Sequence, residues 1–276
     1  MFNNTVFKAA ESREIIRKRY NELISALPFN KKYIDTSFGR TFVLESGSPD
    51  KPPLLLLHGS CSNSASWAGE LAALSDSFHV LAVDIVGEAG NSEDNRLALS
   101  SDGYADWLLE VLHAFSDKKA VVAGNSLGGW MSLKFATKYP EQVSKLILIA
   151  SAGLSKQNTY FLDKADHASS QNETLTMDDS VTGSIKLQKE VEEFINLVLW
   201  GYNPITEDLP VFTGELLGKL TMPVLYIAGK NDVMLDTASA VQRLGTFIPE
   251  AEVQLLDNTG HVVLNALEYM LPFLMK

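Results

Sequence analysis

Ser126 lies within Gly124-Asn125-Ser126-Leu127-Gly128, after the apolar run Ala120-Val121-Val122-Ala123 and before Trp130, Leu133, Phe135 and Ala136 at helical spacing. An unbroken apolar run suits a strand buried on both faces, and the spacing that follows begins a helix. The serine therefore falls at a strand-to-helix turn. Glycines two positions before and after it keep Cβ atoms out of the bend and push the hydroxyl outward, above the sheet. A hydroxyl so placed can attack a carbonyl once a base takes its proton. The Leu127 N–H, at the new helix N-terminus, can donate to the oxyanion that forms. Asp232 stands in the loop just past an apolar strand at 223–229, and His261 follows the last predicted strand, 252–256, in Asn258-Thr259-Gly260-His261. An imidazole can take and return a proton near neutral pH, and a carboxylate beside it fixes its tautomer. Asp236 is the rival carboxylate, but Asp236-Thr237-Ala238-Ser239 reads as the N-cap of the next helix.

The elements that must hold these groups alternate strand and helix. A hairpin is expected from 33–37 and 41–46, then buried strands at 54–57, 78–85, 120–123 and 145–150, with helices at 65–74, 104–115 and from 130 onward. That rhythm argues a doubly wound, mostly parallel sheet of about eight strands. It breaks between about 153 and 220, which is helical and polar, with a linker at 172–179 and an amphipathic helix at 185–200. Strand 54–57 runs into His58-Gly59-Ser60-Cys61-Ser62-Asn63-Ser64, a loop of small residues at the strand end, where ligands bind in such sheets.

With its G-x-S-x-G elbow, its His-Gly loop and the order Ser126, Asp232, His261, the chain resembles the α/β-hydrolase family from about Tyr33 onward. The resemblance implies an α/β-hydrolase core over 33–152 and 221–276 and a short helical cap at 153–220, which leaves 1–32 as an N-terminal helical arm. It makes Ser126 the nucleophile, His261 the base, Asp232 the acid, and the N–H groups of Ser60 and Leu127 the oxyanion donors. His58 is then a structural hydrogen-bonding residue and Cys61 a packing one. Many members carry D-x-x-G-x-G-x-S where this chain has Asp84-Ile85-Val86-Gly87-Glu88-Ala89-Gly90-Asn91-Ser92, one residue longer, so the loop at 86–96 departs from the pattern. Gly-Asn-Ser-Leu-Gly-Gly with a short cap looks most like bacterial carboxylesterases. The alternatives are a carbon–carbon bond hydrolase of ring-opened aromatic products and a slow or non-catalytic ligand sensor. The first is expected to bind a carboxylate with arginine, and 151–220 contains none.

The 276 residues are 46% hydrophobic and 21% charged, ample for a core, and the formal net charge of -11 disfavours nucleic acid as a partner. One cysteine excludes an internal disulfide. With no signal peptide or membrane-length apolar run, a cytoplasmic protein acting on a small-molecule ester is expected. No metal or organic cofactor is called for: there is no H-E-x-x-H, no G-x-G-x-x-G after the first strand and no Cys/His cluster. Residues 1–32 carry seven Lys or Arg against three Glu, and Ile16, Tyr20, Leu23, Ile24 and Leu27 predict an amphipathic helix over 12–27. Such a helix either lies on the main domain or binds a membrane surface or partner. His79, His113 and His167 read as surface or packing residues. Phe161, Leu197, Trp200 and Tyr202 are apolar candidates for pocket walls, with no role assigned.

Overall fold

The strands are β1 (Asn30–Thr36), β2 (Gly39–Ser46), β3 (Pro53–Leu57), β4 (His79–Val83), β5 (Ala120–Asn125), β6 (Val143–Ile149), β7 (Val224–Gly229) and β8 (Glu252–Leu256). They form a sheet in the order β1-β2-β4-β3-β5-β6-β7-β8. β2 pairs antiparallel with β1 and β4, and every later pair is parallel. The computed structural model describes residues 5–158, 179–182 and 188–276.

Every residue of β3, β4 and β7 is buried, as their uninterrupted apolar runs require when helices cover both faces. The leucines of β3 alternate between those faces. Leu55 and Leu57 join Trp107 and Trp130 in one core, while Leu54 and Leu56 join Tyr20, Trp67 and Phe273 in the other. The helices that concern the site are α1 (Ala10–Ser25), α2 (Ala68–Leu74), α3 (Gly103–Phe115), α4 (Leu127–Lys138), α5 (Lys189–Gly201), α6 (Thr237–Phe247) and α7 (Ala266–Leu274). A 3-10 turn, Ser64–Trp67, leads into α2, so the helix expected from 65 begins tighter than an α-helix. Of the helix expected at 185–200, 188–200 is described, and α5 begins at Lys189. Among the described residues no helix is long and apolar enough to cross a membrane.

α1 begins two residues before the expected 12–27, because Ser12 Oγ accepts the Ala9 N–H at 3.1 Å. Its Ile16, Tyr20 and Ile24 are buried against the domain. The Tyr20 hydroxyl donates to Asp84 Oδ1 at 3.0 Å and meets Ser64 Oγ at 2.8 Å. Arg17 donates to the carbonyls of Gly90 and Ser92 and pairs with Asp94 at 2.7 Å. Preceding α1, Lys8 N–H donates to Gly201 O and Asn203 N–H to Val6 O, each at 2.9 Å. The helix is therefore laid on the main domain. At the far end of the sheet, His79 is buried with Nε2 2.8 Å from Glu45 Oε1, whereas His113 is exposed on α3.

Tyr20→Phe removes one donor from the buried Asp84 carboxylate while keeping the ring. It is expected to lower stability by about 1–3 kcal/mol, read as a shifted urea midpoint with an unchanged slope.

Candidate active site

Ser126 sits between β5 and α4 at φ 52°, ψ -110°, a strained backbone for a residue with a side chain. Its own backbone holds it there. Ser126 N–H donates to Ile149 O at 2.9 Å, and Ser126 O accepts from Trp130 N–H at 3.1 Å and Ala152 N–H at 3.2 Å. The flanking glycines are a steric requirement. A Cβ at Gly124 would stand 2.2 Å from Gly128 O, and one at Gly128 would stand 2.2 Å from Leu57 O. α4 thus packs backbone to backbone on the end of β3, and Leu127, its first residue, keeps an N–H outside the helix ladder.

Asp232 follows β7 and His261 follows β8. Lys230 N–H donates to Leu256 O and Asn231 N–H to Thr259 O, each at 3.0 Å, so the two loops are bonded together. His261 Nδ1 lies 2.8 Å from Asp232 Oδ2, and His261 Nε2 lies 3.0 Å from Ser126 Oγ. The other carboxylate oxygen, Oδ1, accepts the N–H groups of Met234 at 2.8 Å and Leu235 at 3.1 Å. The Asp232 side chain is fully buried and so aimed from both sides. Its position makes Nδ1 the protonated nitrogen, which leaves Nε2 to accept from the Ser126 hydroxyl. Asp236 caps α6 by accepting the Ser239 N–H at 3.0 Å and takes no part in this chain of contacts.

The His-Gly loop lies beside the serine: a Cβ at Gly59 would stand 3.5 Å from Ser126 Cβ. His58 is buried, its Nδ1 2.8 Å from Gly59 O and its Nε2 accepting the Ile85 N–H at 3.0 Å. Accepting at Nε2 leaves the proton on Nδ1, so the imidazole is neutral and ties the loop to the end of β4. Burial pushes its pKa down, against the opposing pull of the Asp84 charge. Asp84 is buried too, and accepts Ser64 N–H at 2.8 Å, Asn91 N–H at 2.7 Å and the Tyr20 hydroxyl. This carboxylate joins α1, the His-Gly loop and the lengthened loop after β4.

Glu88, in that lengthened loop, is buried with Oε2 accepting the Cys61 N–H at 3.2 Å. Burial pushes its carboxyl up to about 7, with Tyr202, Arg96, the Cys61 N–H and Ser60 pulling the other way. Cys61 itself adopts φ 59°, and burial, followed by the nearby Glu88 charge, pushes its thiol up to about 12. A thiol held protonated packs and does not attack.

The structure brings Ser126, Asp232 and His261 together and sets the Ser60 and Leu127 segments beside them. Of the apolar residues noted in the sequence, Leu197 packs among Phe7 and Val198, Trp200 is exposed, and Tyr202 is buried near Glu88. Phe161, His167 and 172–178 lie outside the described residues. Two contributors carried no clear sequence signal. Val181 O accepts the His261 N–H at 2.9 Å from the helical turn Asp179–Thr182, far away in the chain. Glu88 was marked only by the extra residue in its loop. Among the described residues no group of three or more His, Cys, Asp or Glu could hold a metal ion.

Known proteins resemble the chain over most of its length. Residues 52–177 match the family described as alpha/beta hydrolase fold. The chain is 33% identical to the uncharacterized carboxylesterase nap of Bacillus subtilis over 259 residues, covering 88% of this chain and 85% of that protein. It is 30% identical to the Bacillus subtilis carboxylesterase YbfK over 272 residues, covering 93% and 90%. The crystal structure of naproxen esterase (carboxylesterase NP) from Bacillus subtilis superposes with a TM-score of 0.80 at 28% identity, covering 97% of this chain and 98% of that one.

Gly128→Ala must push α4 off the end of β3. It is expected to cost about 3 kcal/mol by overpacking, seen as a lowered thermal midpoint, and to displace Ser126. A second expectation follows from Glu88. Its folded-state carboxyl titrates above the usual 4.5, so the folded protein binds more protons and loses stability as pH rises from 4.5 to about 7. Glu88→Gln removes that dependence. The thermal midpoint of the variant should gain on the parent across this window, by the equivalent of about 2–3 kcal/mol.

Proposed function

The chain belongs to the α/β-hydrolase fold family, and from that premise we propose that it is a serine hydrolase that cleaves carboxylic esters through an acyl-enzyme on Ser126. The observation that carries the reading is the continuous relay from Ser126 Oγ through His261 to Asp232, with contacts of 3.0 and 2.8 Å. His261 Nε2 takes the Ser126 proton as Oγ bonds to the ester carbonyl carbon. The carbonyl oxygen becomes an oxyanion held by the N–H groups of Leu127 and Ser60. The same imidazole then gives its proton to the departing alcohol, and the C–O bond breaks. Water repeats the sequence on the acyl-enzyme, with His261 again the base and Ser126 the leaving group. Asp232 holds the imidazole tautomer throughout and stabilises its charged form.

The substrate reading, a small-molecule carboxylic ester, is supported by the carboxylesterase names of the two curated relatives. We assign residues 153–220 to a cap over the site and 1–32 to an arm that braces it, on a core of 33–152 and 221–276. Support comes from Val181 O on the His261 backbone and from the bonds of Val6 and Lys8 to the end of α5.

The test is hydrolysis of p-nitrophenyl acetate and butyrate by the parent and by Ser126→Ala, with circular dichroism to establish that both fold. Ser126→Ala is expected to lower kcat by about 10⁴-fold or more. A folded variant that retains most of the activity would overturn the assignment of the nucleophile.

A further inference from the structure

We propose that Glu88 is a positioning residue for ester cleavage: its carboxyl holds the Ser60–Cys61 peptide so that the preceding Ser60 N–H stays aimed at the reacting oxygen. The inference deepens the hydrolase reading and rests on its assignment of the Ser60 N–H as an oxyanion donor.

A trans peptide is planar, with its N–H and C=O pointing in opposite directions. In the Gly59–Ser60 peptide, the carbonyl is drawn to His58 Nδ1 at 2.8 Å, so the Ser60 N–H must point the other way. In the next peptide, the Cys61 N–H is drawn to Glu88 Oε2 at 3.2 Å, which turns the Ser60 carbonyl away from Glu88. Both planes that flank Ser60 are therefore pinned, one by each buried side chain. The second pin has more to resist. Cys61 sits at φ 59°, a left-handed conformation that is strained for any residue with a Cβ. Without an acceptor for its N–H, the turn relaxes and the Ser60 N–H swings with it.

The surroundings of Glu88 suit a held group rather than a packed one. Ser60 and Cys61 face it from the His-Gly loop, Arg96 from the end of its own loop, Tyr202 from the end of α5 and Tyr104 from α3. The Tyr202 hydroxyl draws the Glu88 carboxyl toward its charged form, and Tyr104 feels the Glu88 charge from α3. Burial also keeps a large share of the carboxyl uncharged near neutral pH, which limits repulsion of the oxyanion forming nearby.

The experiment compares Glu88→Gln, Glu88→Asp and Glu88→Leu in the full chain, with p-nitrophenyl butyrate as substrate and an alkyl trifluoromethyl ketone as inhibitor. The ketone adds to a serine and places an oxyanion where the ester would. Loss of one oxyanion donor costs about 10²–10³ in kcat, so misaiming one should cost part of that. Glu88→Leu is expected to lower kcat about 30-fold with KM within about threefold, and to weaken ketone binding in step. Glu88→Asp, which draws the carboxyl back by one methylene, should lower kcat by about tenfold and decides the matter if Glu88→Leu does not fold. Glu88→Gln keeps an oxygen for the Cys61 N–H and should stay within about threefold of the parent. Wild-type kcat in Glu88→Asp and Glu88→Leu overturns the proposal, as does lost kcat with unchanged ketone binding, or a Glu88→Gln as slow as Glu88→Leu. Ser60→Pro, which deletes the N–H, separates the two readings. If it is slow while the folded Glu88 variants are normal, the role of Glu88 alone falls. If it keeps full kcat, the donor assignment falls first.

Discussion

The strained backbone at Ser126 is the constraint on which the rest of the site depends. A residue with a side chain at φ 52°, ψ -110° costs about 1–3 kcal/mol and persists only where its surroundings over-determine it. Here they do so through three backbone hydrogen bonds from β6, α4 and the segment after β6, and through contacts at Gly124 and Gly128 too close for any Cβ. Gly129 belongs to the same argument, since a Cβ there would stand 2.4 Å from Ser151 Oγ. The glycines let α4 approach β3 and β5 closely, and that approach in turn holds the serine above the sheet.

A single nucleophile on a strained turn does nothing until other groups arrive at the same edge. The parallel register supplies them: Leu57 pairs with Gly124, and Gly229 with Leu256, so the loops after β3, β5, β7 and β8 all leave the sheet on one side. Buried polar contacts then convert proximity into geometry. Asp84 and His58 fix the His-Gly loop from behind, and the β7 and β8 loops fix each other before Asp232 and His261 meet. Asp84, His58, His261 and the Asp232 side chain are shielded from water, where hydrogen bonds are stronger and a missing partner costs more.

What was legible in the sequence was what local pattern determines. Continuous apolar runs marked β3, β4, β5 and β7, and the glycine spacing marked the elbow. Asp232 and His261 were legible because loops at strand ends carry few competing carboxylates and imidazoles, and Asp236 could be set aside by its capping pattern. Less legible was anything decided by contacts across the fold. His79 gave no sign that it would be buried against Glu45, because that pairing depends on β2 lying beside β4. Nothing local marks the Val181 carbonyl as a support for His261. Glu88 is the sharper case: a glutamate in a glycine-containing loop reads as solvated, and only the fold over it shows a buried carboxyl bound to the turn at Cys61.

The basic N-terminal segment shows how tertiary contacts decide between two readings that composition leaves open. A helix that binds an acidic surface needs its cations free on one face. Here most are engaged within the chain. Arg13 and Arg17 pair with Asp94, Lys32 pairs with Glu45, and Lys8 donates to Leu199 O. Arg96 extends the pattern, donating to Gly87 O and to Asn203 O. Lys32 aside, whose pair joins β1 to β2, these bonds run between the arm, the loop after β4 and the end of α5. Positive charge in an otherwise acidic chain is thus concentrated where backbone carbonyls and carboxylates must be gathered around the back of the His-Gly loop. Through Lys8, Arg13 and Arg17 it ties the arm to the rest of the fold.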